Sequence, residues 1–197
     1  MKRFAAALGM SLLLVACSPN TESTESSDAP SAPAFTGTHT EVDMEKSSIN
    51  FEGKSSIINH PGTFEEFSLT LIPDAATPSD FAKANIVVSI KTSSAKTDAE
   101  FLDKHLQSKE FFDSEAHPMA TFSSKKIELI EGNKYAVTGD LFIKGITKEV
   151  TMEMVAEETK LTLAYDIQRD DFELGKDSYG DKLLSEEVPL TAEIYLK

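Results

Sequence analysis

Apolar and polar side chains alternate with a period of two through most of the chain after about Thr38. The series is cleanest near the end. There Val188, Leu190, Ala192, Ile194 and Leu196 alternate with Pro189, Thr191, Glu193, Tyr195 and Lys197, the pattern of a half-buried strand. Leu161, Leu163, Tyr165 and Ile167 form a second series; Val150, Met152 and Met154 a third; Tyr135, Val137, Gly139, Leu141 and Ile143 a fourth. Earlier come Ile86, Val88 and Ile90, then Leu69 and Leu71, then Ile49 and Phe51. Residues 119–130, MATFSSKKIELI, predict a longer strand with poorer alternation. The joins Glu131-Gly132-Asn133, Lys144-Gly145-Ile146-Thr147 and Glu157-Glu158-Thr159 are short, and most carry Gly or Asn, as hairpins require. The expectation is an all-β fold of eight antiparallel strands, each with one apolar face, closed on itself.

One stretch breaks the pattern. In residues 97–117, TDAEFLDKHLQSKEFFDSEAH, Phe101, Leu102, His105 and Leu106 recur at helical spacing. Thr97 or Asp98 is placed to cap the start. The segment predicts one or two short helices across a barrel end, carrying Phe111 and Phe112 side by side.

The first 37 residues follow neither period. Lys2 and Arg3 precede an uncharged apolar run from Phe4 to Ala16. That is the layout of a secretory signal peptide, and it is shorter than the roughly 20 apolar residues of a membrane span. Residues 18–37, SPNTESTESSDAPSAPAFTG, have one large apolar residue, Phe35. Such a segment cannot bury enough surface to order itself, and as a coil it spans about 25 Å. The expected layout is a signal peptide over 1–16, a tether over 17–38 and a folded domain over 39–197.

The formal charge of the 197 residues is −14. An acidic surface of this size repels phosphate backbones and anionic head groups, so nucleic acid is not an expected partner. Cys17 is the only cysteine, so no internal disulfide can form. Catalysis finds little support. His39, His60, His105 and His117 are scattered, and the sequence has no HExxH and no G-x-S-x-G. No metal or cofactor is expected. Asp103 and His105 lie close enough in sequence to form an acid–base pair, although helix-packing roles are the simpler reading. Arg169 beside Asp170 reads as an exposed local ion pair of little energetic value.

Leu14-Val15-Ala16-Cys17 resembles the lipobox of bacterial lipoproteins. The resemblance implies diacylglyceryl transfer to the Cys17 thiol, cleavage before it and acylation of the new amine. Several acyl chains on one residue suffice for stable anchoring. With Ser18 following, resemblance to the sorting rules of such lipoproteins implies, in a Gram-negative host, a cell-envelope location anchored at the periplasmic face of the outer membrane.

Further along, Lys104-His105-Leu106, Phe111-Phe112-Asp113, Pro118, Thr121-Phe122, Gly139-Asp140-Leu141, Lys144 to Lys148, Arg169-Asp170 and Phe172 to Gly175 occur in the order seen in YceI-like bacterial lipid-binding proteins. The resemblance covers most of residues 40–197. It implies an extended lipocalin-like barrel whose elongated apolar cavity holds a polyisoprenoid or similar chain without catalysis. Residues alone leave this open, because an eight-stranded barrel is either filled by side chains or holds one small ligand. A filled barrel that binds an envelope protein is the alternative. The strand positions assigned to the cavity wall are Phe51, Leu69, Ile86, Val88, Phe122, Val137, Leu141, Met152, Met154, Leu163 and Tyr165. The insertion contributes Leu102, Leu106, Phe111 and Phe112 as a lid, with His105 at the mouth.

The anchor can be tested directly. Cys17→Ala abolishes incorporation of a fatty-acid analogue in metabolic labelling, whereas the wild-type chain is labelled. Equal labelling of the two would remove the anchor.

Overall fold

The alternating series become ladders in the computed structural model, which describes residues 41–72, 81–176 and 183–197. The signal segment, Cys17 and the tether lie outside the described residues. The strands are β1 (Ser48–Lys54), β2 (Asn59–Phe64), β3 (Phe67–Ile72), β4 (Asn85–Lys91), β5 (Ala95–Thr97), β6 (Met119–Glu131), β7 (Lys134–Ile143), β8 (Ile146–Ala156), β9 (Lys160–Gln168) and β10 (Glu187–Tyr195). One antiparallel sheet contains all ten, in the order β3-β4-β6-β7-β8-β9-β10-β1-β2-β5. The described residues therefore form ten strands, not the expected eight, with β2 and β5 additional.

The extra pair arises at a corner. Two residues, Glu65 and Glu66, separate β2 from β3, and a 3-10 turn (Thr92–Ser94) separates β4 from β5. β3 pairs with β4, and β2 pairs with β5. The two ends of the sheet are thus halves of one bent hairpin, and the bend curls the sheet back towards itself. Backbone bonds strap the corner: the Glu65 amide donates to the Ser94 carbonyl (3.1 Å) and the Lys91 amide to that of Glu66 (3.0 Å). Thr92 and Ser94 are buried there, and the Thr92 hydroxyl donates to the His117 carbonyl (2.9 Å).

β6 alternates poorly for a structural reason. Ala120, Phe122 and Ser124 face inward, a bulge falls between Ser124 and Lys126, and inward facing resumes at Ile127. One extra residue shifts the period and leaves Lys125 and Lys126 both outside. The Ser124 hydroxyl accepts the Ile86 amide (2.8 Å), so a buried donor beside the bulge keeps a partner. Two hairpins turn more tightly than expected, at Gly132-Asn133 and Lys144-Gly145, with Ile146 and Thr147 belonging to β8. Gly132 and Gly145 have positive φ there.

The insertion forms α1 (Glu100–Gln107), followed by turns to His117. Its N-cap is Ala99, with no side-chain cap, rather than Thr97 or Asp98. Asp103 at the end of the first turn takes over the anchoring. Its carboxylate accepts the Thr97 amide (2.7 Å), the Thr97 hydroxyl (2.8 Å) and the Lys96 ammonium (3.2 Å).

Gly139 of β7 lies against the bulge, where a Cβ would press on the Ser123 carbonyl, the Ser124 backbone and the Phe122 ring. Gly139→Ala is therefore expected to destabilise the domain by about 1–3 kcal/mol through strain. Denaturant unfolding checks this, and an unchanged midpoint would mean that the bulge yields freely.

Candidate functional site

Because the sheet is curled, its apolar face encloses space that its own side chains do not fill. Two adjoining cavities lie inside. The first, about 150 Å³, sits at the α1 end and is walled by Phe51, Phe64, Leu106, Phe111, Phe112 and Leu174, among others. The second, about 90 Å³, lies further from α1, between Ile49, Leu69, Met152, Met154, Leu161, Leu163, Tyr165 and Ile194. Val88, Ile90, Phe122, Leu141, Ile167 and Leu190 belong to both walls, so the two spaces form an elongated run along the interior. Nearly all of these groups are hydrocarbon, which gives water few partners and favours an apolar occupant.

Twelve of the sixteen positions assigned to ligand contact fall on these walls. Phe51, Leu106, Phe111 and Phe112 line the α1-end cavity; Leu69, Met152, Met154, Leu163 and Tyr165 line the second; Val88, Phe122 and Leu141 line both. The other four lie elsewhere. Ile86 and Val137 are on the inward face but have no exposed surface at all, each sealed among its neighbours. Leu102 is half-buried against the core. His105 is on the outer side of α1, where its Nε2 lies 2.7 Å from the Glu110 carboxylate and its ring meets Phe111 edge-on at 4.9 Å.

Asp103 and His105 therefore have separate partners. The Asp103 side chain is buried and committed to the α1 anchor, while His105 is exposed and bonded to Glu110. The Thr97 hydroxyl is the main reason the Asp103 carboxyl is held below the usual carboxylate range. The Thr97 amide and Lys96 add to it, and burial opposes it. Burial raises the Tyr165 hydroxyl, with Asp171 and Asp166 contributing, so the phenol stays protonated and remains a donor.

The α1 segment closes the end of the run by packing aromatic rings into it. Phe112 meets Phe64 edge-on with centroids 5.9 Å apart, and Phe64 packs on Phe51 at 5.1 Å. The Phe111 ring rests over Gly175, where φ is positive and no Cβ intervenes.

Sequence reasoning missed two features of this end. Phe64 stands on β2, whose NHPGTF sequence has no apolar alternation to reveal a strand. Arg169 is not part of an exposed ion pair; only 4% of its surface is accessible, and it forms part of the cavity wall. Its Nε donates to the Ser185 carbonyl and its Nη1 to the Leu174 carbonyl, both at 2.9 Å, with the Asp170 carboxylate 3.1 Å from Nη1. The guanidinium thus ties the 3-10 turn at Arg169–Phe172 to the start of the last strand. The RD dipeptide looks the same in either setting, so the sequence carries no signal of this burial. Lys54, Thr121 and Ser185 are the other polar residues of this wall.

Comparison with known proteins accords with this architecture. The model of the YceI-like domain matches residues 41–196. A UPF0312 protein of Photorhabdus laumondii is 41% identical over 91 residues, covering 46% of this chain and 45% of its own length. Protein YceI of Escherichia coli O157:H7 is 38% identical over 92 residues, covering 47% and 46%. The matched stretch thus spans about half the length of these curated relatives. Among solved structures, BcnA of Burkholderia cenocepacia superposes with a TM-score of 0.71 at 27% identity, over 78% of this chain and 98% of that one. A polyisoprenoid-binding domain from Saccharophagus degradans shares the fold, with a TM-score of 0.62 at 14% identity, over 81% and 97%.

The Asp103 anchor makes α1 sensitive to acid in a defined direction. A carboxyl whose folded pKa is depressed contributes stability above its unfolded value, near about 3.9, and loses it as pH falls through the folded value. Asp103→Asn is expected to speed amide exchange in residues 100–112 and lower the melting temperature near neutral pH. The gap from wild type should close in strong acid. A gap that persists unchanged into acid would mean that the carboxylate charge is irrelevant to the anchor.

Proposed function

The chain belongs to the family of YceI-like domains, and on that premise we propose that it binds one long apolar lipid, of isoprenoid type, along the run of cavities inside the sheet. The single observation that carries this reading is the run itself: two adjoining spaces with almost entirely hydrocarbon walls. A flexible chain of CH₂ and isoprene groups fits such a lining. Met152 and Met154 give the second cavity side chains that adapt to an irregular occupant. The polyisoprenoid-binding domain with the same fold supports the choice of ligand class.

Binding of this kind is held by area. A buried methylene contributes about 0.8 kcal/mol, from which the costs of association and ordering are subtracted. No bond is made or broken in the ligand, so the role is carriage or sequestration rather than catalysis. Acylation of Cys17 would keep the carrier at the cell envelope, on the periplasmic face of the outer membrane, where lipids of this kind are encountered.

The test is native mass spectrometry of the purified protein, followed by organic extraction and titration with isoprenoid alcohols of graded length. Affinity is expected to rise with chain length and then level off when the run is full. Met152→Lys or Leu163→Lys should abolish binding in a variant shown to be folded, because a charge on the wall has no partner there. A folded lysine variant that binds as well as wild type would move the site elsewhere. Affinity that ignores chain length but follows the head group would overturn the area-driven mechanism.

A further inference from the structure

The α1 end of the domain also carries an exposed apolar tip. The turn between β1 and β2 presents Ile57 and Ile58 at 80% and 55% exposure, and Leu183 stands beside them at 45%. The Ser56 amide donates to the Leu183 carbonyl (2.9 Å), and Ser55 is bridged to Leu184. Isolated apolar side chains on a surface are ordinary, but a cluster of three at the end of a cavity is not.

Two properties show what the tip is suited to meet. The backbone donors of the Ser55–Ile58 turn are already satisfied. The Ser55 hydroxyl accepts the Ile57 and Ile58 amides and donates to the Ile58 carbonyl, which also accepts the Ser55 amide. A turn with no unpaired N–H pays less to approach an apolar medium than one with free donors. The tip is also continuous with the cavity wall. Gly53 and Lys54 precede it in β1, Leu184 and Ser185 follow Leu183, and all four line the α1-end cavity. Lys54 both lines the cavity and keeps 40% of its side chain exposed, which marks where the interior reaches the surface.

We propose that Ile57, Ile58 and Leu183 dock this end of the domain on a zwitterionic lipid surface, so that the ligand passes between bilayer and cavity without crossing water. The proposal rests on the lipid-binding reading above and adds the route of exchange. The net charge of −14 opposes both an anionic surface and a second copy of the chain. The tip lies at the opposite end of β1 from Glu41, where the described domain begins. β1 is only about 25 Å long, whereas the residues between Cys17 and Glu41 can reach about 80 Å when extended, so an anchor at Cys17 permits the contact.

The chain contains no tryptophan, so a single introduced indole reports on its own surroundings. Ile57→Trp in the full chain, mixed with phosphatidylcholine vesicles, is expected to shift its emission to the blue and to be quenched by bromines on the acyl chains. Adding Ile58→Asp should remove both effects. Leu129→Trp, at another exposed apolar site (57%) on the far end of β6, should show neither. No shift at Ile57→Trp, or equal quenching at Leu129→Trp, would overturn the proposal. A shift that grows with protein concentration in the absence of vesicles would assign the tip to a second copy and overturn it as well. Lipid extracted from the same preparations separates the two readings: wild-type protein without bound lipid fails the proposed function, whereas lipid-loaded protein without quenching fails the docking.

Discussion

The straps between Glu65-Glu66 and Lys91–Ser94 are the bonds on which the rest of this domain depends. A sheet with one apolar face must cover that face, and among the described residues no second sheet is available to do so. The corner bends one hairpin so that β3 and β4 flank one end of the sheet while β2 and β5 flank the other. Curling follows, and with it an interior. The corner is built to last: Thr92, Ser94 and Ala95 are buried, and their polar groups are bonded to main-chain atoms from Glu66, Lys91 and His117.

An interior made by curling differs from a core made by packing two layers. In a packed core, side chains from both sides interdigitate until the space is full. Inside a curled sheet they converge from all round, and the axis fills only if they are long enough to meet. Ala120, Ala192 and the other short inward residues leave room along the axis, while Phe51, Phe64, Phe111 and Phe112 close one end. The same geometry explains why Ile86 and Val137 are on the inward face yet not on a cavity wall.

Much of this was legible in the sequence, within limits that have physical causes. Period-two alternation reports which way a side chain points, so the eight long series and most of the wall could be read. It says nothing of depth along the axis, so Ile86 and Val137 could not be separated from Val88 and Leu141. Strands without alternation, such as NHPGTF in β2 and the three residues of β5, exist because a neighbouring ladder recruits them, and no local signal marks them. His105 follows helical spacing in one dimension, but α1 turns it outward to Glu110. Arg169 is buried because main-chain carbonyls 5 and 16 residues away receive its donors, a long-range fact that a dipeptide cannot carry.

The two ends of the described domain meet. Val42 is bridged to Leu196, and the Lys197 amide donates to the Glu41 carbonyl at 2.9 Å. Adjacent ends of this kind can be joined by a short linker and the chain reopened at an exposed turn, such as Gly132-Asn133, without altering any ladder. They also share one pole of the domain, with Ile57 at the other. A support, a fusion partner or a pulling force applied through either of these ends would therefore hold the domain by their shared pole and leave the aromatic end facing outward.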